Sequence, residues 1–548
     1  MRGLSEIPPA ESSPNLTTVP TAPARVYKII VIGAGAAGLA AAKSLSAIDG
    51  VTVTVLEGRD RIGGRIDSRE IGEGGPKVDM GAAWVNGNNP SNPLTPSTVI
   101  FGSLAETDWD AAKYFEAVGT VNNPTPSSPL SGDDLKRMKE LHRVTWALFK
   151  RRQSAALLRA RKGKGLDDTL WNTVCSLKSK KFKGYKSLCE RDKTLMRFAW
   201  EQITDMEYAA TPESLSMIFW DCDNDQHDDM FMFRDGFKTI AEQWAADVDD
   251  IRLDCKVESI DVYPNTSGGG VSVKIRGSTP LFADACIVTL PLGVLKAGTM
   301  EFQPPLPLEK LNAISRLGVG LMNKVVLHFE GCFWEGGGRG EEKNTAKECN
   351  SEDSDSEESE EDPHVLYRVP MDNARKLPEA LETPFIVNLK PVTGENILAA
   401  YLTTASAALL EEKSNEEIQV HILKILGSMY GEETVKAANV TDCEVSRWAS
   451  DEFACGSYSY MPANASPRDR AVLSKAEGPL FFAGEHTSHG PFIRNSNTNE
   501  GGYPSTVYGA YLSGERAASE AAKLLGLDIG KKRPQSEAPN VKDRKYSS

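Results

Sequence analysis

Between Lys28 and Arg65 the chain runs KIIVIGAGAAGLAAAKSLSAIDGVTVTVLEGRDRIGGR, and no other stretch restricts its fold as tightly. Ile29 to Ile32 is a continuous apolar run of the kind buried on both faces of a parallel sheet. Gly33, Gly35 and Gly38 follow at the spacing GxGxxG, and each has a physical reason. Gly33 allows a tight turn, Gly35 lets backbone approach a pyrophosphate, and Gly38 lets the following helix, Leu39 to Ser46, pack closely on the strand. The start of that helix presents unpaired N–H groups and partial positive charge to phosphates. A second apolar strand, Val51 to Leu56, leads to Glu57, about twenty residues past the glycines, where a carboxylate can accept from ribose hydroxyls. Strand, glycines, helix, strand and acid in this order predict a dinucleotide-binding α/β unit and leave NAD and FAD both open.

The extension RDRIGGR ends the unit in a second glycine turn. Gly63, Gly64 and Arg65 resemble the second glycine motif of the flavin amine oxidases and related FAD enzymes, in which the arginine lies near the cofactor phosphates. The resemblance selects FAD.

With 548 residues, 40% of them hydrophobic and 25% charged, the chain has material for two or three domains and a buried cofactor. A formal net charge of -14 argues against general nucleic-acid binding and suits cationic partners. Part of that charge lies in Ser351 to Asp362, SEDSDSEESEED, expected as a mobile, solubilising insertion within 340–363 whose serines are also candidate phosphate acceptors. Nine cysteines without a CxxC pair predict neither a disulfide framework nor a zinc site and suit a reduced, intracellular setting. Residues 1–25 lack the charged start and apolar stretch of a signal peptide and read as a loose tail, and no run of 18 apolar residues predicts a membrane anchor. In the tail 529–548, Lys531, Lys532, Arg533 and Pro534 form a basic cluster seen in nuclear import signals and also in plain solvated ends. The expected location is cytoplasmic, or nuclear if that cluster is read.

Val78 to Asn86, VDMGAAWVN, reads as a glycine-interrupted strand whose Gly81, Ala82 and Ala83 keep backbone close to a ring system. Leu135, Met138, Leu141, Val144 and Leu148 recur at helical spacing among many Lys and Arg, predicting a helical region with a solvated basic face that runs to about residue 234. Phe219 to Asp229 packs five aspartates around His227. Asp221, Asp223 and Asp225 imitate the start of a calcium loop, but Gln226 stands where its glycine belongs and Met232 where its closing Glu belongs, so no metal is expected. The stretch reads as a solvated loop or as a rim attracting a cationic substrate. Ile251 to Asp261 alternates like one strand, Ala285 to Pro291 reads as a buried strand and turn, and Ile397 to Thr403 as a further strand. LMNKVVLHFE, residues 321 to 330, opens a second substrate-side segment, and Asn415 to Tyr430 has the pattern of an amphipathic helix. GPLFFAGEHTS and GGYPSTVYGAYLSGERAA predict a strand ending at Gly484 and Glu485, then a helix from about Ser505 whose N-terminus faces an anionic group.

Five separated stretches, in this order across roughly residues 27 to 523, resemble the flavin-containing amine oxidases. The resemblance implies an α/β fold, α+β overall. It has a discontinuous FAD-binding Rossmann-like domain of the glutathione-reductase type (26–100, 235–320 and 471–528) and a mixed sheet-plus-helices substrate domain (101–234 and 321–470). It assigns Gly33, Gly35, Ala37 and Gly38 to the pyrophosphate, Glu57 to the adenosine ribose, and Arg59, Gly64 and Arg65 to the phosphate region. The backbone of Val257 would meet the adenine, Ala83, Trp84 and Trp448 would lie at the flavin, Glu485 at the ribityl chain, and Thr506 and Val507 under the pyrimidine end. Lys324 matches the lysine that holds a water near flavin N5. Tyr458 matches the aromatic wall for the amine, and Thr506 stands where some relatives carry a second aromatic. Ser457 replaces the cysteine through which monoamine oxidases attach FAD, so a non-covalent flavin is implied. Polyamine oxidases place Glu or His where this chain has Asn86, an amide that accepts a hydrogen bond but supplies no charge.

The reaction implied is oxidation of a secondary amine of a small cationic polyamine, such as spermine, spermidine or their acetylated forms, with oxygen as the final acceptor. LMNKVVLHF, SRW, GSYSY, FFAGEHT and YPSTVYGAYLSG are locally most similar to the histone lysine demethylases, which would take a histone tail. The overall length, without a SWIRM module or long coiled-coil insertion, favours the polyamine reading. A non-catalytic flavoprotein scaffold is the third reading, opposed by the intact Lys324 and cofactor motifs.

Overall fold

The computed structural model describes residues 25–86, 104–107, 112–117, 126–160, 167–180, 184–221, 230–263, 270–335, 364–370, 385–489 and 502–527, with a few single residues between them. The acidic run 351–362, most of the aspartate-rich loop with His227, and the basic cluster at 531–534 lie outside the described residues.

Five parallel strands form the central sheet, in the order Asp250–Arg252, Val51–Leu56, Tyr27–Ile32, Ala285–Val288 and Leu480–Phe482. Its strands come from three distant parts of the chain. The run Ile29 to Ile32 is apolar throughout because alternate side chains enter different cores. Ile29 and Val31 pack with the helices Ala36–Ser46, Lys238–Ala245 and Val507–Leu524. Ile30 and Ile32 pack on the other face against Ile260, Val271 and Val273 of a four-stranded layer.

A six-stranded sheet makes the second framework, in the order Val440–Val445, Met322–Phe329, Ile397–Thr403, Phe385–Asn388, Val365–Pro370 and Ala112–Ala117. It too separates alternate residues. Val326, Ala399 and Tyr401 face the helices Gly132–Ala160 and Glu190–Tyr208, whereas Val325, Leu327 and Ala400 face the helix Asn415–Tyr430. The last helix starts at a capping box, in which Ser414 accepts from the Glu417 N–H while the Glu417 carboxylate accepts from the Ser414 N–H.

Four sequence expectations need correction. Ile251 to Asp261 is two strands in two sheets, Asp250–Arg252 and Val257–Tyr263, because Asp254 takes a left-handed φ of 54° and turns the chain between them. Val78 to Asn86 also divides: Lys77–Asp79 pairs with Ser68–Glu70, whereas Trp84–Asn86 pairs with Met230–Phe233. The helical region stops at Tyr208, and Met230–Phe233 is a strand lying between Trp84–Asn86 and Leu104–Glu106. The helix after the first glycines begins at Ala36 rather than at Leu39. Among the described residues no helix is long and apolar enough to cross a membrane, and no group of three His, Cys, Asp or Glu is placed to hold a metal.

Candidate active site

One cavity of about 1130 Å³ runs between the two frameworks. Its nucleotide end is built by the first glycine turn. Gly33 has φ 101°, which a side chain would oppose. A Cβ on Gly38 would sit 1.8 Å from the Gly33 carbonyl oxygen, so this glycine is required by the chain itself. Gly35 differs: its ideal Cβ meets nothing nearer than the Gly63 carbonyl at 3.7 Å, although the residue lines the cavity. Gly35 is also the cap of the helix Ala36–Ser46, with no side chain to bond the first-turn N–H groups. A small residue that the protein does not need, at an uncapped helix start on a cavity wall, fits a bound phosphate. Ala37 lines the same wall, whereas Gly38 lies behind it.

Glu57 is buried. Its carboxylate accepts from the Ala34 N–H at 2.7 Å and the Arg59 N–H at 3.0 Å, which holds the glycine turn to the second strand. Gly63 donates to the Ala34 carbonyl at 2.9 Å, so the two glycine turns are joined. Gly64 and Val257 line this end. Arg59 and Arg65 line it as well, but each already has a carboxylate partner, Arg59 with Asp451 at 2.7 Å and Arg65 with Glu485 at 3.0 Å.

The last helix brings a second positive end to the cavity. Thr506 caps it by accepting from the Gly509 N–H at 2.9 Å, and Thr506 and Val507 both line the wall. A Cβ on Gly514 would fall 2.1 Å from the Ala37 carbonyl oxygen, so this helix lies tightly against the first and both N-termini open on one space. Glu485 sits between them, buried, accepting from Arg65, from the Ser459 N–H and hydroxyl, and from the Ser505 N–H. Burial alone would push its carboxyl up, but Arg65 and Arg470 outweigh it and hold the group down at about 2.

At the opposite end Lys324 is buried on its strand. Its ammonium donates to the carbonyls of Asp79 and Gly81, both at 2.7 Å, and lies 4.9 Å from the ring centre of Tyr401 and 5.7 Å from that of Trp84. Gly81 is required here, because its Cβ would sit 2.0 Å from the Arg65 carbonyl. Ala83 lines the wall beside Trp84, and the Trp448 indole donates to the Met80 carbonyl at 3.2 Å. Tyr458 donates to the Met206 carbonyl at 3.2 Å, and burial pushes its phenol well up, so it is a neutral wall and no proton shuttle. Ser457 both donates to and accepts from Met322 backbone at 2.9 Å. The backbone of Asn86 pairs with Met230, and its side chain is outside the described residues.

Sequence reasoning missed Asp79, Tyr401, Glu106 and Glu207. The latter two are exposed carboxylates on the cavity wall. Tyr401 had a usable signal, since it lies on a recognised strand and pairs directly with Lys324. Asp79 had none beyond its place two residues before Gly81.

These residues can hold a dinucleotide cofactor along one wall and an amine at an aromatic, cationic end. Residues 36–522 match the family model described as flavin containing amine oxidoreductase. A relative named Lysine-specific histone demethylase 1 homolog 3, from Oryza sativa subsp. indica, is 29% identical over 514 residues, covering 91% of this chain and 54% of that protein. Polyamine oxidase 4 from Oryza sativa subsp. japonica is 29% identical over 529 residues, covering 92% of this chain and 90% of that protein. The chain thus spans about half the length of the demethylase relatives it matches. The solved cyclohexylamine oxidase from Brevibacterium oxydans IH-35A shares the fold with a TM-score of 0.62 and 19% identity, over 91% of this chain and 100% of that one. The chain belongs to the flavin-containing amine oxidoreductases, with FAD as its cofactor.

Proposed function

We propose that the chain oxidises a secondary amine of a polyamine to an imine, which water hydrolyses to an amine and an aldehyde, with oxygen reduced to hydrogen peroxide. The observation that supports this reading is the acidic wall beside the aromatic end. Glu106 adjoins Thr107, whose hydroxyl accepts from the Trp84 indole at 3.2 Å, and Glu207 adjoins Met206, whose carbonyl accepts from Tyr458. Two carboxylates next to the residues that hold the aromatic walls supply the negative charge that Asn86 lacks, and they suit a substrate with several ammonium groups. Bound FAD supplies the hydride acceptor. The protein orients the substrate against a wall of Trp84, Tyr401 and Tyr458, keeps bulk water from the reacting carbon, and positions the Lys324 nitrogen beside it. The nitrogen to be oxidised must arrive uncharged, while distal ammonium groups stay protonated against Glu106 and Glu207.

The similarity to histone demethylases supports a second reading, a methylated lysine in a peptide as substrate. A peroxide-release assay over spermine, spermidine, their acetylated forms and a methylated histone peptide tests both. Turnover of the polyamines is expected. Peroxide from the peptide alone, or from no amine, overturns the proposal.

A further inference from the structure

Lys324 is 4% exposed, and two of its donors are committed to the carbonyls of Asp79 and Gly81. Those two bonds form whether the nitrogen is an ammonium or an amine. What differs is the third position: an N–H in the ammonium, a lone pair in the amine. That position is all Lys324 has left to offer the cavity, so its protonation state decides whether it donates to or accepts from whatever lies there.

A buried ammonium is costly unless a counter-charge is close. Around Lys324 stand Asp79 from Lys77–Asp79, Tyr401 from Ile397–Thr403 and Trp84 from Trp84–Asn86. The Ser446 hydroxyl accepts from the Lys324 backbone N–H at 2.8 Å. Among these described groups only Asp79 carries a formal charge. Its carboxylate is 7% exposed and accepts from the Ser68 hydroxyl and from the Phe237 N–H at 2.9 Å. Behind it lies Asp67, whose own charge is answered by Arg69 at 2.9 Å and Arg61 at 3.3 Å. Burial pushes Lys324 down from the ordinary lysine range and Asp79 pulls it back up, while burial pushes Asp79 itself up.

We propose that Asp79 is a positioning residue: its buried carboxylate keeps Lys324 an ammonium, and so presents a third N–H rather than a lone pair to the reacting end of the cavity. The role is independent of which amine is oxidised. The released proton, when Lys324 does ionise, passes to solvent.

The test is a pH titration of the visible flavin absorbance in the FAD-loaded enzyme, without substrate. Lys324 should give one spectral step near pH 8. Asp79→Asn keeps the shape and both acceptor contacts but removes the charge, and should move the step down by at least one pH unit, a tenfold loss of proton affinity. Asp79→Glu should restore it towards the wild-type position, and Lys324→Met should abolish it. Should Asp79→Asn fail to fold, Ser68→Ala removes one donor from the carboxylate, leaves its charge less shared, and should move the step up by less than one pH unit. An unmoved step in Asp79→Asn or Ser68→Ala, no step in the wild type, or a step that survives in Lys324→Met overturns the proposal.

Discussion

Replacing Glu485 by Gln tests the electrostatics between the two helix starts. The folded carboxyl is held at about 2, against 4.5 when unpaired. At 1.36 kcal/mol per pH unit that gap amounts to about 3 kcal/mol of stability. Its sign follows from the direction: a depressed folded value gives stability that is complete above about pH 4.5 and is lost as pH falls towards 2. Gln cannot ionise, and its amide NH2 must point at Arg65 or at the Ser459 hydroxyl, so donor faces donor and the Arg65 guanidinium loses its counter-charge. Urea denaturation of FAD-saturated enzyme should show the variant about 3 kcal/mol less stable at pH 7, the deficit narrowing from pH 5 to pH 3 as the wild type protonates. Because Glu485 lines the cavity, two excess concentrations of FAD separate weaker binding from weaker folding. A deficit below about 1 kcal/mol at pH 7, or one that stays constant below pH 4.5, would refute the assignment.

Gly514→Ala should lower stability by about 2–4 kcal/mol and weaken FAD binding, since its Cβ would strike the Ala37 carbonyl and push apart the helices whose ends meet at the cavity; unchanged thermal unfolding and FAD affinity would contradict that close approach. Heat or acid denaturation should release the flavin into the supernatant, because Ser457 cannot form a thioether; colour retained in the precipitate defeats this. Lys310→Met should cost about 2–4 kcal/mol in urea, since the buried ammonium donates to the carbonyls of Val472, Leu473 and Lys475 at the end of the helix Pro467–Ser474, and the variant leaves them without that donor.

The nucleotide end was legible because its parts are contiguous. Residues 28 to 65 contain a strand, two turns, a helix and a second strand whose identities follow from local rules, and the structure pairs the two strands in one sheet with both turns joined at Gly63 and Ala34. Even there, spacing alone cannot tell why a glycine is present. Gly38 is demanded by a carbonyl 1.8 Å from its missing Cβ, whereas Gly35 has room and faces the cavity, so the fold requires the first glycine and not the second. The alternation of Ile251 to Asp261 misled for the opposite reason: apolar periodicity continued across Asp254, where a left-handed turn sends the second half into another sheet.

The reacting end was legible as Lys324, Tyr458, Trp84, Ala83 and Trp448 but without Asp79 and Tyr401, which come from stretches that no local pattern connects to it. Tyr401 reaches the Lys324 nitrogen through antiparallel register, Lys324 opposite Tyr401, and a slip of one residue would put Ala400 or Leu402 there instead. Each of those residues belongs to the opposite core, so the register is held by burial on both faces of the sheet rather than by anything at the site. Asp79 depends on a different framework again, the short pair Ser68–Glu70 with Lys77–Asp79, which sets its carboxylate against Ser68. The lysine could therefore be recognised from its own strand, but the charge that governs it belongs to a short strand some 245 residues earlier and becomes visible only when the two frameworks close on one another.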